Sequence, residues 1–306
     1  MQFGLHLPIH RAGQDNRGDF TNHLSKKAEW AESVGFQCIS VLDHLAPFHK
    51  VGSAESPVLD CWTILGALAA FTSNTKLMPL VSNSSIRHPS MIAKSSASLD
   101  MLSGGRMQLG IGAGGYKPEY AQHGFPYPTK PQRYEILNES IQIIRQLWSG
   151  PDQYFQGSHH QLSGATISPR PITSPLILVG GNSLEIMDIA ASKADAVNMV
   201  MPSLGILQRN KLYLDQKSHG YQRQPLQLTT LERVVIGETD SKIHSKLNKL
   251  LPPNTHPDRG LTGSIETVLT KIANMERHGV SVIYIFFEED DEESYNLFQS
   301  RIITEF

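Results

Sequence analysis

The chain has 306 residues, and its 27 basic and 29 acidic side chains give a formal net charge of −2. This near-neutral balance gives no reason to expect a nucleic acid or an anionic membrane surface as a partner. Hydrophobic residues make up 40% of the chain and charged residues 18%, so the composition predicts a sizeable core and excludes a disordered chain.

Strand-like and helix-like segments alternate along the whole chain. Short apolar runs predict eight strands, at residues 3–7, 37–42, 76–82, 106–111, 176–179, 194–199, 226–236 and 280–287. Apolar residues at helical spacing, with Gly or Pro at the ends of several segments, predict helices at residues 20–35, 58–71, 89–102, 132–148, 183–193, 204–219, 242–250, 264–278 and 293–303.

This alternation predicts a single domain over residues 1–306, built as a (β/α)8 TIM barrel rather than an open doubly wound sheet. Residues 150–175 have no strong period and are predicted to be an insertion that contains a short hairpin, with Tyr154 and Phe155 on one strand and residues 160–162 on the other. The stretch PPNTHPDRGLTG, residues 252–263, is predicted to be a mobile loop.

The sequence also predicts a soluble, cytoplasmic protein. Its start, MQFGLHLPIH, is too short and too polar for a signal peptide. No stretch approaches the ~18 uninterrupted apolar residues that a membrane-spanning helix needs. Cys38 and Cys61 lie in apolar surroundings, which favours two buried thiols over a disulfide or a reactive thiol.

The stretch VLDHLAPF, residues 41–48, places an acid and an imidazole directly after the second strand. In barrels of this kind the catalytic groups lie at the C-terminal ends of the strands. Asp43 and His44 are therefore predicted to face the site. The alternative is that Asp43 caps the next turn and His44 is a surface residue.

The stretch LGIGAGGYKPEY, residues 109–120, is rich in glycine at the end of the fourth strand. A dinucleotide fingerprint would lead directly into a helix, with an acidic residue about 20 positions further on. Here Pro118 starts a new segment instead. Gly112, Gly114 and Gly115 are predicted to let a flat ligand or a phosphate approach the main chain, and ordinary turn glycines are the alternative.

Two further strand ends carry candidate binding groups. The fifth strand ends in Gly180 and Gly181, and Asn182 or Ser183 caps the following helix, whose N-terminus suits a phosphate. There is no Walker lysine, so this is not an NTP-hydrolysing loop, and an ordinary capped helix is the alternative. The polar run at residues 82–85 is predicted to bind the edge of a heterocycle, with a plain polar loop as the alternative.

The 13 histidines raise the question of a metal. His6, Asp43, His44 and His49 could be drawn as a cluster, but neither H-x-H nor H-E-x-x-H spacing occurs. No metal is predicted, and a metal-dependent barrel hydrolase is kept as an alternative that metal analysis would test. A G-x-S-x-G elbow is also missing, so no serine nucleophile is predicted.

Taken together, these segments resemble the bacterial luciferase-like superfamily, and most closely its branch of coenzyme F420-dependent oxidoreductases. The stretch LDMLSGGR, residues 99–106, followed by GIGAGG, residues 110–115, is highly specific for the superfamily. The resemblance covers roughly residues 1–200 and returns at residues 263–287. The assignment to the F420 branch is based mainly on Asp43 and His44.

The resemblance implies a ring-shaped cofactor at the strand ends, F420 or alternatively FMN. Asp43 would lie near the ring, the phosphate tail near Gly180 and Gly181, and a non-proline cis peptide at Leu80–Val81. The residues that we expect to bind the cofactor are His6, which would line the pocket floor, and Asp43, Leu80, Val81, Ser82, Asn83, Gly112, Ala113, Gly114, Gly115, Val179, Gly180, Gly181 and Asn182.

Two departures limit what the resemblance implies about the substrate. Relatives that oxidise sugar phosphates carry an acid where this chain has Gly115, and a Trp near the Asp–His pair, where Phe48 is the nearest aromatic residue. A sugar-phosphate substrate is therefore not predicted. Phe48, Tyr116 and Glu119 are the predicted substrate contacts, with Glu119 as a substitute acid or, alternatively, a solvated loop residue.

The predicted function is hydride transfer between F420 and an unidentified small organic substrate. The cofactor would perform the redox step, and His44 would act as the acid/base, since histidine titrates near ~6.5. Asp43 would orient His44 or bind the ring. The alternatives are an FMNH2-dependent monooxygenase that uses O2 and a flavin-binding barrel without catalysis. The resemblance also implies a homodimer, with its interface around the early helices.

Overall fold

A computed structural model describes residues 1–7, 20–47, 58–250, 259–288 and 291–306 of the chain. Its strands are β1 Gln2–Leu7, β2 Cys38–Val41, β3 Lys76–Pro79, β4 Ser82–Asn83, β5 Leu109–Gly112, β6 Gln153–Gln156, β7 Gln161–Ala165, β8 Ile177–Gly180, β9 Ala196–Val200, β10 Gln227–Ile236, β11 Leu261–Gly263 and β12 Val280–Phe286. Its helices are α1 Phe20–Val34, α2 Cys61–Phe71, α3 Pro89–Leu102, α4 Lys117–Gln122, α5 Lys130–Ser149, α6 Leu184–Lys193, α7 Leu204–Gly220, α8 Asp240–Leu250, α9 Ile265–Arg277 and α10 Glu292–Arg301, followed by a 3-10 turn at Ile303–Glu305.

The parallel strands form a barrel in the order β3-β2-β1-β12-β10-β9-β8-β5-β4. Strands β3 and β4 are two parts of one barrel strand, interrupted at Leu80 and Val81, whose peptide bond is cis, as the resemblance predicts. The ring closes where the Leu77 N–H donates to the carbonyl of Arg106 and the Gln108 N–H donates to the carbonyl of Leu77. The predicted TIM barrel is confirmed.

The strands are buried on both faces, which explains why they read as continuous apolar runs. One set of side chains fills the inside of the barrel and includes Cys38, Met78 and Tyr284. Alternate residues face outward and pack against the helices in the larger core. Cys38 and Cys61 are both buried free thiols, as predicted. No helix in the described ranges is both long and apolar enough to cross a membrane.

The insertion contains the predicted hairpin, formed by the antiparallel strands β6 and β7. Helix α4 was not predicted from the sequence. Residues 252–258 of the predicted mobile loop lie outside the described residues. The loop prediction is wrong for Leu261–Gly263, which form β11 and pair in parallel with β10.

The stretch LDMLSGGR, which carries much of the resemblance, has a structural role. Asp100 is fully buried, and its carboxylate accepts the backbone N–H groups of Ile172 and Thr173. Gly105 has a φ of +85°, and a Cβ there would lie 2.5 Å from the Thr173 side chain. Both features fix the chain just before β8.

Arg106 completes this stretch by joining three segments of backbone. Its guanidinium donates to the carbonyl oxygens of Ala69, Thr72, Thr75 and Ser103, at 2.7 to 3.0 Å. These carbonyls belong to the end of α2, the entry to β3 and the end of α3. Arg106 is only 9% exposed. Its planar guanidinium therefore supplies the hydrogen bonds that water would otherwise make to these carbonyl groups, which would be buried without a partner.

Replacing Arg106 by Lys should lower the free energy of unfolding by roughly 2–3 kcal/mol, because a single ammonium group cannot reach all these carbonyls. Urea unfolding at neutral pH would measure the change. The control is Arg170→Lys, since Arg170 is exposed and donates to one carbonyl, that of Ser149. An equal, small effect of the two substitutions would contradict this role for Arg106.

Candidate active site

A cavity of about 410 Å³ opens at the C-terminal ends of β2, β4, β5 and β8. Its volume falls in the range of about 300–1,000 Å³ that is usual for sites of small ligands. Most residues predicted from the sequence lie in its wall. These are Asp43, His44, Leu80, Val81, Asn83, Gly112, Ala113, Gly114, Gly115, Tyr116, Glu119, Gly180, Gly181 and Asn182.

Three predicted residues, His6, Ser82 and Val179, do not line this cavity. His6 is buried on β1, where its Nδ1 shares a 3.0 Å hydrogen bond with the Ser40 hydroxyl, and it does not line this cavity. Ser82 lies behind the wall, and Val179 faces outward into the core between the strands and the helices. Phe48 lies outside the described residues.

The Asp43 carboxylate is tied to the end of the interrupted strand. Arg87 binds it in a two-pronged ion pair, with Nε 2.8 Å from Oδ2 and Nη2 2.8 Å from Oδ1. Oδ2 also accepts the Ser82 hydroxyl at 3.0 Å. Arg87 Nη2 reaches Asp60 as well, at 2.5 Å. Burial alone would lower the pKa of Arg87, but the two carboxylates raise it well above its ordinary value.

His44 is paired with a different carboxylate. Its Nδ1 lies 3.1 Å from Glu119 Oε1, and the same oxygen accepts the Leu45 backbone N–H at 2.7 Å. Glu119 comes from the first turn of α4 and is only 2% exposed, so the alternative of a solvated loop acid is wrong. The sequence predicted that Asp43 would orient His44 or bind the ring. In the structure, Glu119 is the carboxylate that holds the His44 ring. Tyr116 meets the His44 ring edge-on, with 6.2 Å between the ring centroids.

The pairing with His44 determines the charge of Glu119. Burial alone would raise the pKa of the Glu119 carboxyl, but the hydrogen bonds from His44 and from the Leu45 N–H lower it below its ordinary value. Glu119 is therefore ionised at neutral pH. The His44 side chain is 23% exposed, so the pair can exchange a proton with a molecule in the cavity.

The side chain of Val81 forms the back of the cavity between two strand ends. A Cβ on Gly112 would lie 2.6 Å from Val81 Cγ2, and one on Gly180 would lie 2.9 Å from Val81 Cγ1. Any larger residue at either position would push Val81 out of place. The two glycines therefore allow a narrow wall in which main chain, rather than side chains, faces the cavity.

The N-terminus of α6 forms the opposite end of the cavity. Ser183 caps this helix by accepting the Ile186 N–H, and its hydroxyl also lies 3.1 Å from the Tyr134 hydroxyl. The Asn182 side chain bonds both backbone groups of Val200, so Asn182 can offer only its main chain to a ligand. The free N–H groups and dipole of a helix N-terminus suit an anionic group.

Sequence patterns missed several residues of the site. Arg87 was not predicted as a site residue, and its contact with Asp43 spans 44 positions. Tyr134 and Ile186 line the cavity from α5 and α6 without a local motif. Within the described ranges, no three His, Cys, Asp or Glu side chains group in a way that could hold a metal ion.

Two relatives of known activity show the range of the similarity. A pyrimidine monooxygenase, RutA of Acinetobacter baylyi, is 28% identical over 262 residues, which cover 80% of this chain and 69% of that protein. An F420-dependent glucose-6-phosphate dehydrogenase of Beutenbergia cavernae is 37% identical over 142 residues, which cover 46% of this chain and 41% of that protein. The chain thus spans less than half of the second relative.

Solved structures show the same fold over nearly the whole chain. An F420-dependent secondary alcohol dehydrogenase in complex with an F420-acetone adduct superposes with a TM-score of 0.84 at 18% identity, covering 98% of both chains. The monooxygenase RslO1 of Streptomyces bottropensis superposes with a TM-score of 0.83 at 20% identity, covering 100% of this chain and 99% of that one. At such identities the likeness concerns the fold alone.

The family described as luciferase-like monooxygenase matches residues 1–281. This match covers most of the barrel and every described residue of the cavity wall. It confirms the superfamily and the class of enzyme that the sequence predicts. The chain belongs to the luciferase-like monooxygenase family.

Proposed function

We propose that this chain transfers a hydride between coenzyme F420 and a small organic substrate in the cavity at the strand ends. The observation that carries the proposal is the pairing of His44 with the buried, ionised Glu119. Such a pair suits a redox reaction in which a proton moves to or from the substrate alongside the hydride.

The wall of the cavity fits a flat cofactor with an anionic tail. Gly112 and Gly180 leave main chain and the Val81 side chain facing the space, so a planar ring can lie close to the strand ends. The capped N-terminus of α6 can receive the anionic tail. When bound, the cofactor supplies the carbon that gives or accepts the hydride, and the protein supplies position and proton transfer.

Each polar residue then has a separate task. Glu119 holds the His44 ring through Nδ1, so the proton exchanged with the substrate is held at Nε2. Tyr116 packs against the ring edge and restricts its rotation. Asp43 positions the wall, because its bonds with Arg87 and Ser82 join the ends of β2 and β4.

Both candidate reactions have support among the relatives. The Beutenbergia cavernae relative and the structurally similar alcohol dehydrogenase are named as F420-dependent. The Acinetobacter baylyi relative, which matches 80% of this chain, is named as a monooxygenase, and this favours a monooxygenase reaction, with FMN as the alternative cofactor, as the second candidate. We choose F420 as the first candidate because of the His44–Glu119 pair.

A binding titration tests the choice of cofactor. Purified protein should bind F420 at least about tenfold more tightly than FMN, a difference of about 1.4 kcal/mol, measured by fluorescence.

His44→Ala should lower turnover of reduced F420 with small carbonyl acceptors by roughly 10²–10⁴-fold, because the acid/base is lost. The affinity for F420 should change little.

The control for His44→Ala is His219→Ala, which removes an exposed histidine at the end of α7. It should leave both turnover and F420 binding unchanged. Tighter binding of FMN than of F420 would favour the monooxygenase. Full turnover by His44→Ala would rule out its role, and tight binding with no turnover of any acceptor would support a barrel without catalysis.

The pH dependence of stability tests the charge of Glu119. Because its pKa in the folded protein lies below the ordinary 4.5, the ionised carboxylate stabilises the fold above that pH. This contribution is lost as the pH falls through the folded-state pKa. Glu119→Gln should therefore unfold about 1–2 kcal/mol more easily at pH 7, and this deficit should shrink below about pH 4.5.

The matched control is Glu135→Gln. Glu135 also faces a histidine, with 2.9 Å between its Oε2 and His159 Nε2, but its side chain is 61% exposed. An exposed pair of this kind contributes about 0–1 kcal/mol, so urea unfolding at both pH values should change little. A deficit for Glu119→Gln that stayed constant with pH would show that its ionisation does not stabilise the fold.

We also propose a homodimer whose interface includes helix α3. The cytoplasmic location stays a prediction. Met91 and Leu102 are 63% and 72% exposed, and at 11 residues apart they share one face of this helix. Light scattering should give twice the chain mass of 33.9 kDa. Leu102→Glu should yield monomers, whereas Leu212→Glu, on the equally exposed Leu212 of α7, should not. A monomeric wild-type protein would contradict the proposal.

A further inference from the structure

Arg233 is a buried cation near the C-terminal end of β10. In the parallel register of β10 and β12 it pairs with Phe286, and two positions earlier Leu231 pairs with Tyr284, which fills the inside of the barrel. Alternate residues of a strand share a face, so the Arg233 side chain also points into the barrel. Arg233 is only 8% exposed. It is therefore a charged group held in the barrel interior.

Arg233 lies at the same end of the barrel as the active-site cavity. Strand β9 ends at Val200, which pairs with Leu231, one inward position before Arg233. Val200 is 42% exposed, so the barrel opens at that level. Arg233 is one inward position further along, in the last residue pair between β10 and β12. Its side chain is therefore part of the barrel mouth.

Arg233 does not line the cavity that holds His44 but faces it from the opposite side of the mouth. With β3 and β4 counted as one strand, four steps separate β10 from that strand in either direction, through β9, β8 and β5 or through β12, β1 and β2. The Val81 side chain at the back of the cavity belongs to that opposite strand. A molecule that extends from this wall across the barrel therefore meets the side on which Arg233 lies.

The Arg233 guanidinium has no hydrogen-bond partner among the described residues. Its Nε is fully covered and unpaired. Nη1 and Nη2 are also unpaired within the described ranges, but they are not fully covered, so a ligand can reach this end of the group. Buried polar groups are nearly always hydrogen-bonded, and a buried cation without a partner costs free energy. The arrangement suits a site whose partner arrives with a ligand.

The chemistry of the guanidinium defines that partner. Burial lowers the pKa of Arg233 below its ordinary value, and the charge of Glu288 offsets this only in part, without a hydrogen bond to Arg233. Arginine stays protonated in proteins, and its planar fork has donors but no acceptor. A carboxylate accepts two parallel N–H bonds from such a fork. The charge of Glu288 disfavours a doubly charged phosphate more than a singly charged carboxylate.

We propose that Arg233 binds a carboxylate of the substrate, so that the protein prefers keto acids, or the corresponding hydroxy acids, to neutral carbonyl compounds and alcohols. The carboxylate lies at Arg233 and the reacting carbon lies near His44, on opposite sides of the barrel mouth. In the reaction itself, which rests on the function proposed above, that carbon exchanges the hydride with F420 and its oxygen exchanges the proton with His44. The carboxylate contact needs no redox step.

Calorimetric titration of the full-length protein, with and without F420, tests this contact apart from turnover. The probes are the keto acids levulinate and 5-oxohexanoate and their neutral amides, which have nearly the same shape. We expect at least one acid to bind about tenfold or more tightly than its amide, because only the acid pairs with the guanidinium. With reduced F420, the same acid should have a higher kcat/KM than its amide.

Three substitutions isolate the contribution of Arg233. Arg233→Met should bring the affinities of acid and amide to within about threefold of each other, and Arg233→Lys, which keeps the charge but loses the fork, should fall between. The control Arg277→Gln removes an exposed arginine of α9 and should keep the preference. F420 affinity should stay within about threefold in all three. The urea midpoint of Arg233→Met should not fall, since an unpaired buried cation does not stabilise the fold.

The other outcomes would overturn the carboxylate site. These are a preference for the acid that survives in Arg233→Met, or no binding of either acid to the wild-type protein. A tenfold loss of F420 affinity in Arg233→Met would assign Arg233 to the cofactor instead. Equal loss of acid and amide binding with a lower urea midpoint would show a structural role. Preference for FMN over F420, with the acid preference intact, would contradict the proposed hydride transfer while supporting the carboxylate site.

Discussion

The ion pair between Asp43 and Arg87 is the contact on which the arrangement of the active-site mouth depends. Asp43 ends β2, and Arg87 follows the β4 part of the interrupted strand, so the pair joins two strand ends that have no main-chain ladder at that point. Since Ser82 also binds this carboxylate, its oxygens are already engaged. This is why we assign proton transfer in the proposed reaction to the neighbouring His44 and its partner Glu119.

The fold places these groups with simple rules. In a parallel barrel every strand delivers its C-terminal residues to the same end, and that rule alone brings Asp43, Gly112 and Gly180 to one mouth. The close approach of Val81 to both glycines then selects for residues without a side chain at the ends of β5 and β8. The cavity is thus shaped by main-chain proximity, and its specific chemistry is supplied by the few polar side chains around it.

These rules also explain what the sequence could and could not predict. Alternating strand and helix periods predicted the barrel, and the residues predicted at the ends of the second, fourth and fifth predicted strands, such as Asp43, Gly112 and Gly180, do line the cavity. The partner of His44 was out of reach, because Glu119 is 75 positions away on a short helix that has no side-chain N-cap bond. Neighbours in an extended chain point in opposite directions, so adjacency in sequence made Asp43 a poor candidate for orienting His44.

The same period of two places Glu232 on the outer side of β10. Along β10, Leu231 and Arg233 pair with the inward-facing Tyr284 and Phe286 of β12, whereas Glu232 lies between them and turns outward. In the sequence, Glu232 is only a charged residue that interrupts the apolar run of this strand. In three dimensions it is a buried acid in the wall of a cavity that is separate from the one lined by His44 and Glu119. One barrel strand can therefore serve the inner and the outer side independently, because alternate residues never share a face.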